Sequence, residues 1–130
     1  MSARVPSLLA ALLVATVATA QSLPPKSTGD FYVSDFNNDR VVVYPSARVY
    51  PRSFAAVELS GPRGVLVGPA DEIFVASQLS DEVFVFLPDE QFAFRFGAPL
   101  LSGPTGMALS PAGELHVSSF DNGRICVFQL

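Results

Sequence analysis

The sequence predicts an all-β protein made of small antiparallel sheets that repeat along the chain. Three observations carry this prediction. Segments that begin at residues 31, 73 and 115 align without gaps, so that each starts 42 residues after the one before. Short apolar runs rich in Val, Ile and Phe alternate with Gly, Pro, Asn, Asp and Ser. These runs have the length and composition of strands and lack the 3.6-residue period of helices.

The first twenty residues have the pattern of a secretory signal peptide. Arg4 precedes an apolar run over residues 7–17, and Ala-Thr-Ala at residues 18–20 is a small-x-small cleavage site. We predict cleavage between Ala20 and Gln21, with residues 21–28 as a linker. The apolar run is shorter than the ~20 residues that a membrane span needs. We therefore expect a secreted protein, extracellular or periplasmic, without a stable membrane anchor.

Composition and charge exclude several classes of protein. The chain has 130 residues, 49% of them hydrophobic and 15% charged, which is typical of one folded domain. Eight basic side chains stand against twelve acidic ones, and Lys26 is the only lysine. Nucleic-acid binding depends on clustered Lys and Arg, so we expect no nucleic-acid partner. The single cysteine, Cys126, excludes an internal disulfide and is expected to be a small buried hydrophobe.

The central repeat unit is expected to contain four strands, at residues 64–67, 72–76, 82–86 and 91–96. Between the first two, Pro69 fixes φ in a tight turn, and Asp71 tolerates the left-handed conformation. The sister units have Gly29 and Gly113 at the position of Asp71. Polar residues at 37–39, and again at 121–123, supply the hairpin loop between the second and third strands. Because these strands are apolar at successive positions, both faces of each sheet must be covered, as in sheets stacked around an axis.

Three sequence features carry a resemblance to a known family: Gly-Pro-x-Gly at residues 61–64 and 103–106, Pro-Ala at 69–70 and 111–112, and Val-Ser-Asp-x-x-Asn-x-Arg-Val-x-Val-Tyr at 33–44. They resemble the NHL repeat, whose units are the antiparallel four-stranded blades of a β-propeller. The hairpin motif is matched by Asp35, Asn38 and Arg40 in the first unit and by Asn122 and Arg124 in the third. The second unit departs from it with Ser77, Ser80 and Glu82. The absence of tryptophan disfavours the related WD repeat.

The matched hairpin residues are expected to have a structural role. Asp35 and Arg40 flank one turn and are placed to pair across it, and Asn38 is placed to bond its own backbone. The alternative is that they bind a ligand.

The repeat also predicts an incomplete, open β-propeller over residues 29–130. Residues 29–60 form a partial blade, 61–102 a full blade and 103–130 a second partial blade. Known propellers close with roughly four to eight blades, so we expect apolar blade faces and a strand edge to be left uncovered. Three explanations stay open: a truncated piece of a longer propeller, a head-to-tail homo-oligomer that completes the ring, and a short open stack.

A search for catalytic or metal-binding residues yields none. The one histidine, His116, stands where Tyr32 and Phe74 stand in the other units, so we expect it to replace an aromatic residue in a strand. No His-x-x-x-His, Cys-x-x-Cys or Gly-x-Ser-x-Gly motif occurs. Calcium is the one cation left open. Asp35, Asn37, Asn38 and Asp39 form the densest oxygen cluster, but they lack calcium-loop spacing.

The resemblance also bears on function. Lactonase-like and lyase-like members of this group hold a metal in the central channel with side chains from several blades. The inner strands here, 64–67 and 106–109, are apolar and offer no such residues. We therefore expect no cofactor and a non-enzymatic module that binds a protein or a carbohydrate, or serves as a scaffold. The alternative is a remnant of a propeller hydrolase or lyase whose metal ligands lie in missing blades.

Overall fold

A computed structural model describes residues 2–4, 29–47 and 50–130. Within these residues lie the strands β1 (Ser2–Arg4), β2 (Phe31–Asp35), β3 (Arg40–Tyr44), β4 (Arg52–Phe54), β5 (Pro62–Val67), β6 (Ile73–Ser77), β7 (Glu82–Phe86), β8 (Phe92–Phe96), β9 (Pro104–Leu109), β10 (Glu114–Ser119) and β11 (Arg124–Gln129). Two single-turn 3-10 helices span Phe36–Asn38 and Gln78–Ser80. No helix in the described part of the chain could cross a membrane. The predicted cleavage site at Ala20 and Gln21 lies outside the described residues.

The strands form three small sheets in the order of the repeat. The first sheet has the order β2-β3-β4, the central sheet β5-β6-β7-β8, and the third β1-β11-β10-β9. All neighbouring strands are antiparallel except β1 and β11. The predicted all-β fold of small antiparallel sheets is confirmed, and the strands of the central sheet begin and end within two residues of the predicted bounds.

The core lies between the sheets, and alternate residues of the central sheet face opposite neighbours. Ile73 and Val75 of β6 pack with Val41 of the first sheet. Phe74, which lies between them in sequence, packs with Leu115 of the third sheet. Side chains of successive strand residues point to opposite faces, so every residue of β6 is buried. Both faces of the central sheet are therefore covered, as the continuous apolar runs predict.

The connections between strands use the left-handed conformation where the sequence predicts it. Asp71 has φ of 61° in the turn between β5 and β6, and Gly113 has φ of 82° at the equivalent place in the third sheet. In the hairpins between the second and third strands of each unit, Asp39, Asp81 and Gly123 have φ of 53°, 59° and 65°. Asp and Gly are among the residues that adopt this conformation most readily, so the turn chemistry repeats with the fold.

Strand β1 was not expected from the sequence. Ser2–Arg4 pairs in parallel with β11, with Ala3 opposite Phe128, and takes the outer position of the third sheet. In the central sheet the equivalent outer strand, β8, is antiparallel to its neighbour. Because these residues belong to the predicted signal peptide, cleavage after Ala20 would remove β1 and leave the outer edge of β11 unpaired.

The innermost strands of the central and third sheets, β5 and β9, lie side by side. Gly64 makes this approach possible, because a Cβ built on it would lie 2.3 Å from the carbonyl oxygen of Thr105. The equivalent residue of the third sheet, Gly106, meets only Ser118 Oγ of its own sheet at 3.3 Å. The backbones of the two inner strands therefore touch without an intervening side chain, and this contact fixes the spacing of the sheets.

Candidate functional site: the hairpin edge

Three hairpin turns, at residues 36–39, 78–81 and 120–123, lie at one edge of the stack of sheets. Backbone hydrogen bonds join two of them to the connections between sheets. Gln78 N donates to Gly61 O at 3.0 Å, and Phe120 N donates to Gly103 O at 3.1 Å. We call these turns, with the connections at 55–61 and 97–103, the hairpin edge. The motif residues Asp35, Asn38 and Arg40 of the first hairpin lie at this edge.

The first hairpin is organised around the Asp35 carboxylate. Arg40 Nε donates to Asp35 Oδ2 at 2.9 Å, which confirms the expected pair. Asn38 Nδ2 donates to Asp35 Oδ1 at 2.8 Å, so the expectation that Asn38 bonds its own backbone is wrong. The same amide also donates to Asp35 Oδ2 at 2.9 Å. Hydrogen bonds from Arg40 and then from Asn38 hold the pKa of Asp35 below its usual range.

The second hairpin keeps the same arrangement with smaller groups. Ser77 stands at the position of Asp35, and Ser80 at that of Asn38. The two hydroxyl oxygens lie 2.6 Å apart. Ser77 Oγ also accepts from Ser60 N and donates to Ser60 O, both at 2.9 Å. The second unit therefore has serines in place of the motif residues, and its turn is still held by side-chain hydrogen bonds.

The third hairpin uses its matched residues differently. Asn122 Nδ2 donates to the carbonyl oxygen of Leu100 at 3.2 Å, and so ties the turn to the connection between sheets. Ser119 Oγ bonds both the N–H and the carbonyl of Ser102, as Ser77 does with Ser60. Arg124 lies exposed at the start of β11. The five motif residues thus occupy two separate hairpins, and the contacts seen for Asp35, Asn38, Arg40 and Asn122 support a structural role.

Two aspartates, whose partners sequence reasoning missed, join the first and second hairpins to the next sheet. Asp39 Oδ1 accepts from Gly61 N at 2.7 Å, and Asp81 Oδ1 accepts from Gly103 N at 2.7 Å. Both contacts span 22 residues and repeat with the 42-residue offset. The available signal was the aspartate at the end of both hairpins, whereas the third has Gly123 there.

The acidic side chains of the oxygen-rich first hairpin are engaged within the protein. Asp35 is engaged by Arg40 and Asn38, and Asp39 binds the backbone of Gly61. In the ranges 2–4, 29–47 and 50–130, no three His, Cys, Asp or Glu side chains lie where they could share a metal ion. His116 lies on β10 with Nε2 3.5 Å from Glu114 Oε2. Cys126 is buried, as expected.

The outward surface of the hairpin edge carries apolar side chains on turns that backbone hydrogen bonds tie to the neighbouring connections. Leu79 is 65% exposed and Phe120 70% exposed. Phe36 is partly covered by Arg63, whose guanidinium carbon lies 4.4 Å from the ring centroid, and Arg63 Nε donates to Gln78 Oε1 at 2.8 Å. A Cβ built on Gly61 would lie 2.8 Å from Phe36 and 2.7 Å from Leu79, so both side chains pack across this glycine.

A depression lies between β8 and β11, with a volume of about 280 Å³. Its walls include Phe96, Phe128 and the ion pair of Glu82 with Arg95, whose nearest atoms are 3.4 Å apart. Ala3 of β1 completes one wall. This depression therefore depends in part on residues of the predicted signal peptide, and the hairpin edge is the surface made by the repeat itself.

Comparison with known proteins identifies the fold. No protein-family model matches the chain, and no curated protein matches it. A streptogramin B lyase structure superposes with a TM-score of 0.65 at 12% identity, over 85% of this chain and 43% of that one. A catalytically inactive histidine-to-alanine variant of virginiamycin B lyase from Staphylococcus aureus, with quinupristin, gives 0.64 at 13%, over 83% and 40%.

A selenomethionine-substituted form of the same Staphylococcus aureus lyase gives a TM-score of 0.58 at 14% identity, over 82% of this chain and 40% of that one. This chain therefore spans less than half the length of these structures. Likeness at this level of identity establishes the fold and nothing more specific, so the NHL resemblance stays a prediction. The three stacked sheets have the fold of a partial β-propeller.

Proposed function

We propose that this chain is an exported, NHL-like propeller segment that acts as a non-enzymatic protein-binding scaffold through its hairpin edge. The observation that carries the proposal is the exposure of Leu79 and Phe120 on this edge. Both belong to turns whose backbone is tied to a neighbouring connection by hydrogen bonds. Apolar side chains held on a rigid support are the usual anchors of protein interfaces, since little entropy is lost when they are covered.

The chemistry of the edge favours a protein over a carbohydrate. Sugar rings stack on open aromatic faces, and because the Phe36 ring is covered by Arg63, Phe120 is left as the one open aromatic ring in the three hairpin turns. Leu79 offers apolar area without such a face. The overall acidity of the chain, with a net charge of −4, disfavours a nucleic-acid partner. Export rests on the pattern of residues 1–20, and extracellular or periplasmic material is therefore the place to seek the partner.

The test is affinity capture from extracellular material with cross-linking and mass spectrometry. The double variant Leu79→Ser, Phe120→Ser should lose the captured protein, while Tyr50→Ser should retain it. Tyr50 is 95% exposed and lies before β4, at the edge opposite the hairpins, so it matches the loss of surface without touching the site. A folded parent protein that captures nothing, or captures equally with the double variant, would contradict the proposal. Binding to a glycan array would reassign the edge to carbohydrate.

A second candidate function is a fragment of a propeller lyase or hydrolase whose site residues lie in other blades. It is favoured by the structures that superpose on this chain, which are lyases and extend well beyond it. One of them is inactivated by replacement of a histidine, and this chain has only His116. Sequencing of the flanking DNA discriminates the two. In-frame repeats with His and Glu on inner strands would support the enzyme fragment, and a stop codon with no such repeats would exclude it.

A further inference from the structure

The two end faces of the stack expose residues that are buried inside it. We call Phe31, Val33, Val42 and Tyr44 of the first sheet the leading face. Phe31 is 71% exposed and Val33 is 47% exposed. They pair with Tyr44 and Val42 of the neighbouring strand β3. The equivalent residues of the central sheet, Ile73 and Val75, are fully buried. The leading face thus has the composition of an interior surface.

The opposite end is the trailing face, formed by His116, Ser118, Ile125 and Val127 of the third sheet. These residues alternate with the buried Leu115, Val117, Cys126 and Phe128, which face the central sheet. Ile125 is 59% exposed. The equivalent residue of the central sheet, Val83, is buried against the third sheet. This end is therefore half apolar and half polar.

The described part of the chain contains two interfaces between sheets, and they have the same arrangement. In each, the face equivalent to the trailing face of one sheet packs on the face equivalent to the leading face of the next sheet. Val41 and Val43 lie on the trailing side of the first sheet, and Val41 packs with Ile73 and Val75 of the central sheet. Val83 and Val85 repeat this 42 residues later against Leu115 and Val117. A third interface of the same kind would place the trailing face of this chain against the leading face of another copy.

We propose that two copies of this chain associate head to tail, with the trailing face of each on the leading face of the other. A heterologous contact of this kind forms a closed ring when the rotation per subunit allows it. Two copies supply six sheets, and propellers close with about four to eight blades. Three copies would supply nine, outside that range. This inference is independent of the proposed function, because the hairpin edge is not part of either end face.

One contact inside the chain is missing between copies. Asp39 and Asp81 bind the N–H of a glycine in the next sheet, and the third hairpin has Gly123 at that position. The contact between copies therefore rests on apolar burial with less hydrogen bonding. We expect the dimer to be weaker than the interior interfaces and to dissociate on dilution.

The test is sedimentation equilibrium of the chain as it is secreted, over a range of concentrations. The expected result is a monomer–dimer equilibrium. Val33→Lys on the leading face and Ile125→Lys on the trailing face should each weaken dimerisation roughly a hundredfold, because each buries an unpaired charge. Val67→Lys, on an exposed residue of β5 away from both faces, should leave it unchanged. Phe31→Ser and Val127→Ser provide a second pair if a lysine variant fails to fold, as judged by near-UV circular dichroism.

Mixing distinguishes the head-to-tail arrangement from a symmetric face-to-face one. The Val33→Lys chain keeps its trailing face, and the Ile125→Lys chain keeps its leading face. Their equimolar mixture should therefore associate through one intact contact, and more tightly than either variant alone, because neither variant alone can form an intact contact. A folded monomer at the highest soluble concentration would overturn the proposal. So would a trimer or open polymer, or a dimer that only one of the two lysine variants affects.

Discussion

The central and first sheets carry the same strand pattern and differ in what covers them. Val75 of the central sheet is fully buried, whereas Val33, its counterpart 42 residues earlier, is 47% exposed. The hairpins, strand pairing and turn conformations of the two sheets otherwise correspond. The comparison shows that a single sheet of this repeat cannot bury the apolar side chains on its faces. Burial, and with it most of the stability, comes from the neighbouring sheet.

The largest expected effect comes from the contact between inner strands. Gly64→Ala would place a Cβ 2.3 Å from the Thr105 carbonyl oxygen, and backbone atoms cannot turn away as a side chain can. We expect a loss of about 3 kcal/mol in the free energy of unfolding, since the central and third sheets must separate. Gly106→Ala is the matched control, because its Cβ meets only Ser118 Oγ at 3.3 Å. Urea unfolding followed by circular dichroism measures both. Equal losses would show that the inner strands do not set the sheet spacing.

The next effect tests the comparison directly. Val75→Ala removes two methyl groups from a fully packed site and should cost about 2 kcal/mol. Val33→Ala makes the same change on the leading face and should cost less than about 0.5 kcal/mol in dilute solution. The measurement is again the urea midpoint, taken at low protein concentration. A similar cost at both positions would mean that the leading face is covered in solution, which connects this pair of variants to the proposed dimer.

Local sequence was sufficient to predict the features that depend on local chemistry. The 42-residue offset, the left-handed turn at Asp71 and the pairing of Asp35 with Arg40 all follow from residues close in the chain. The difference in exposure between Val33 and Val75 does not follow from their local patterns, which are alike, and was expected only from the count of blades. It depends on how many sheets stand beside each one. The same limit applies to Asp39 and Asp81, whose partners lie 22 residues away in another sheet.

Strand β1 shows a second limit of sequence reasoning. Ser2–Arg4 has neither the alternation nor the β-branched residues that mark a strand. It pairs because the edge of β11 offers unpaired backbone groups and Ala3 fits against the apolar cluster of the third sheet. The open edge was predictable from the strand count. The segment that covers it was not, since any extended backbone can supply the hydrogen bonds.

The hydrogen bonds between hairpin and next sheet should contribute less than the packing. Asp81→Gly removes the acceptor for Gly103 N and keeps the left-handed conformation, as Gly123 shows at the same repeat position. We expect a loss of about 1.5 kcal/mol, typical of a hydrogen bond to a charged group. Asp71→Gly is the control, because it makes the same replacement at φ of 61° in a turn where the sister unit has Gly113. Thermal unfolding monitors both. Equal shifts would assign the effect to glycine entropy and not to the lost bond.

A further expected effect is a dependence of stability on alkaline pH that comes from Tyr32 of the first sheet. Burial, followed by the carboxylates of Glu90 and Asp30, raises the pKa of Tyr32 to about 12, from 10.0. Between these values the unfolded chain loses the phenol proton and the folded chain keeps it, so stability falls as pH rises through this window. Tyr32→Phe should reduce that slope and leave stability near pH 7 little changed, because the central sheet has Phe74 at this position. Tyr44→Phe, on the leading face, controls for the loss of a tyrosine. Urea midpoints from pH 9 to pH 11.5 give the slopes, and an unchanged slope in Tyr32→Phe would show that Tyr32 ionises equally readily in both states.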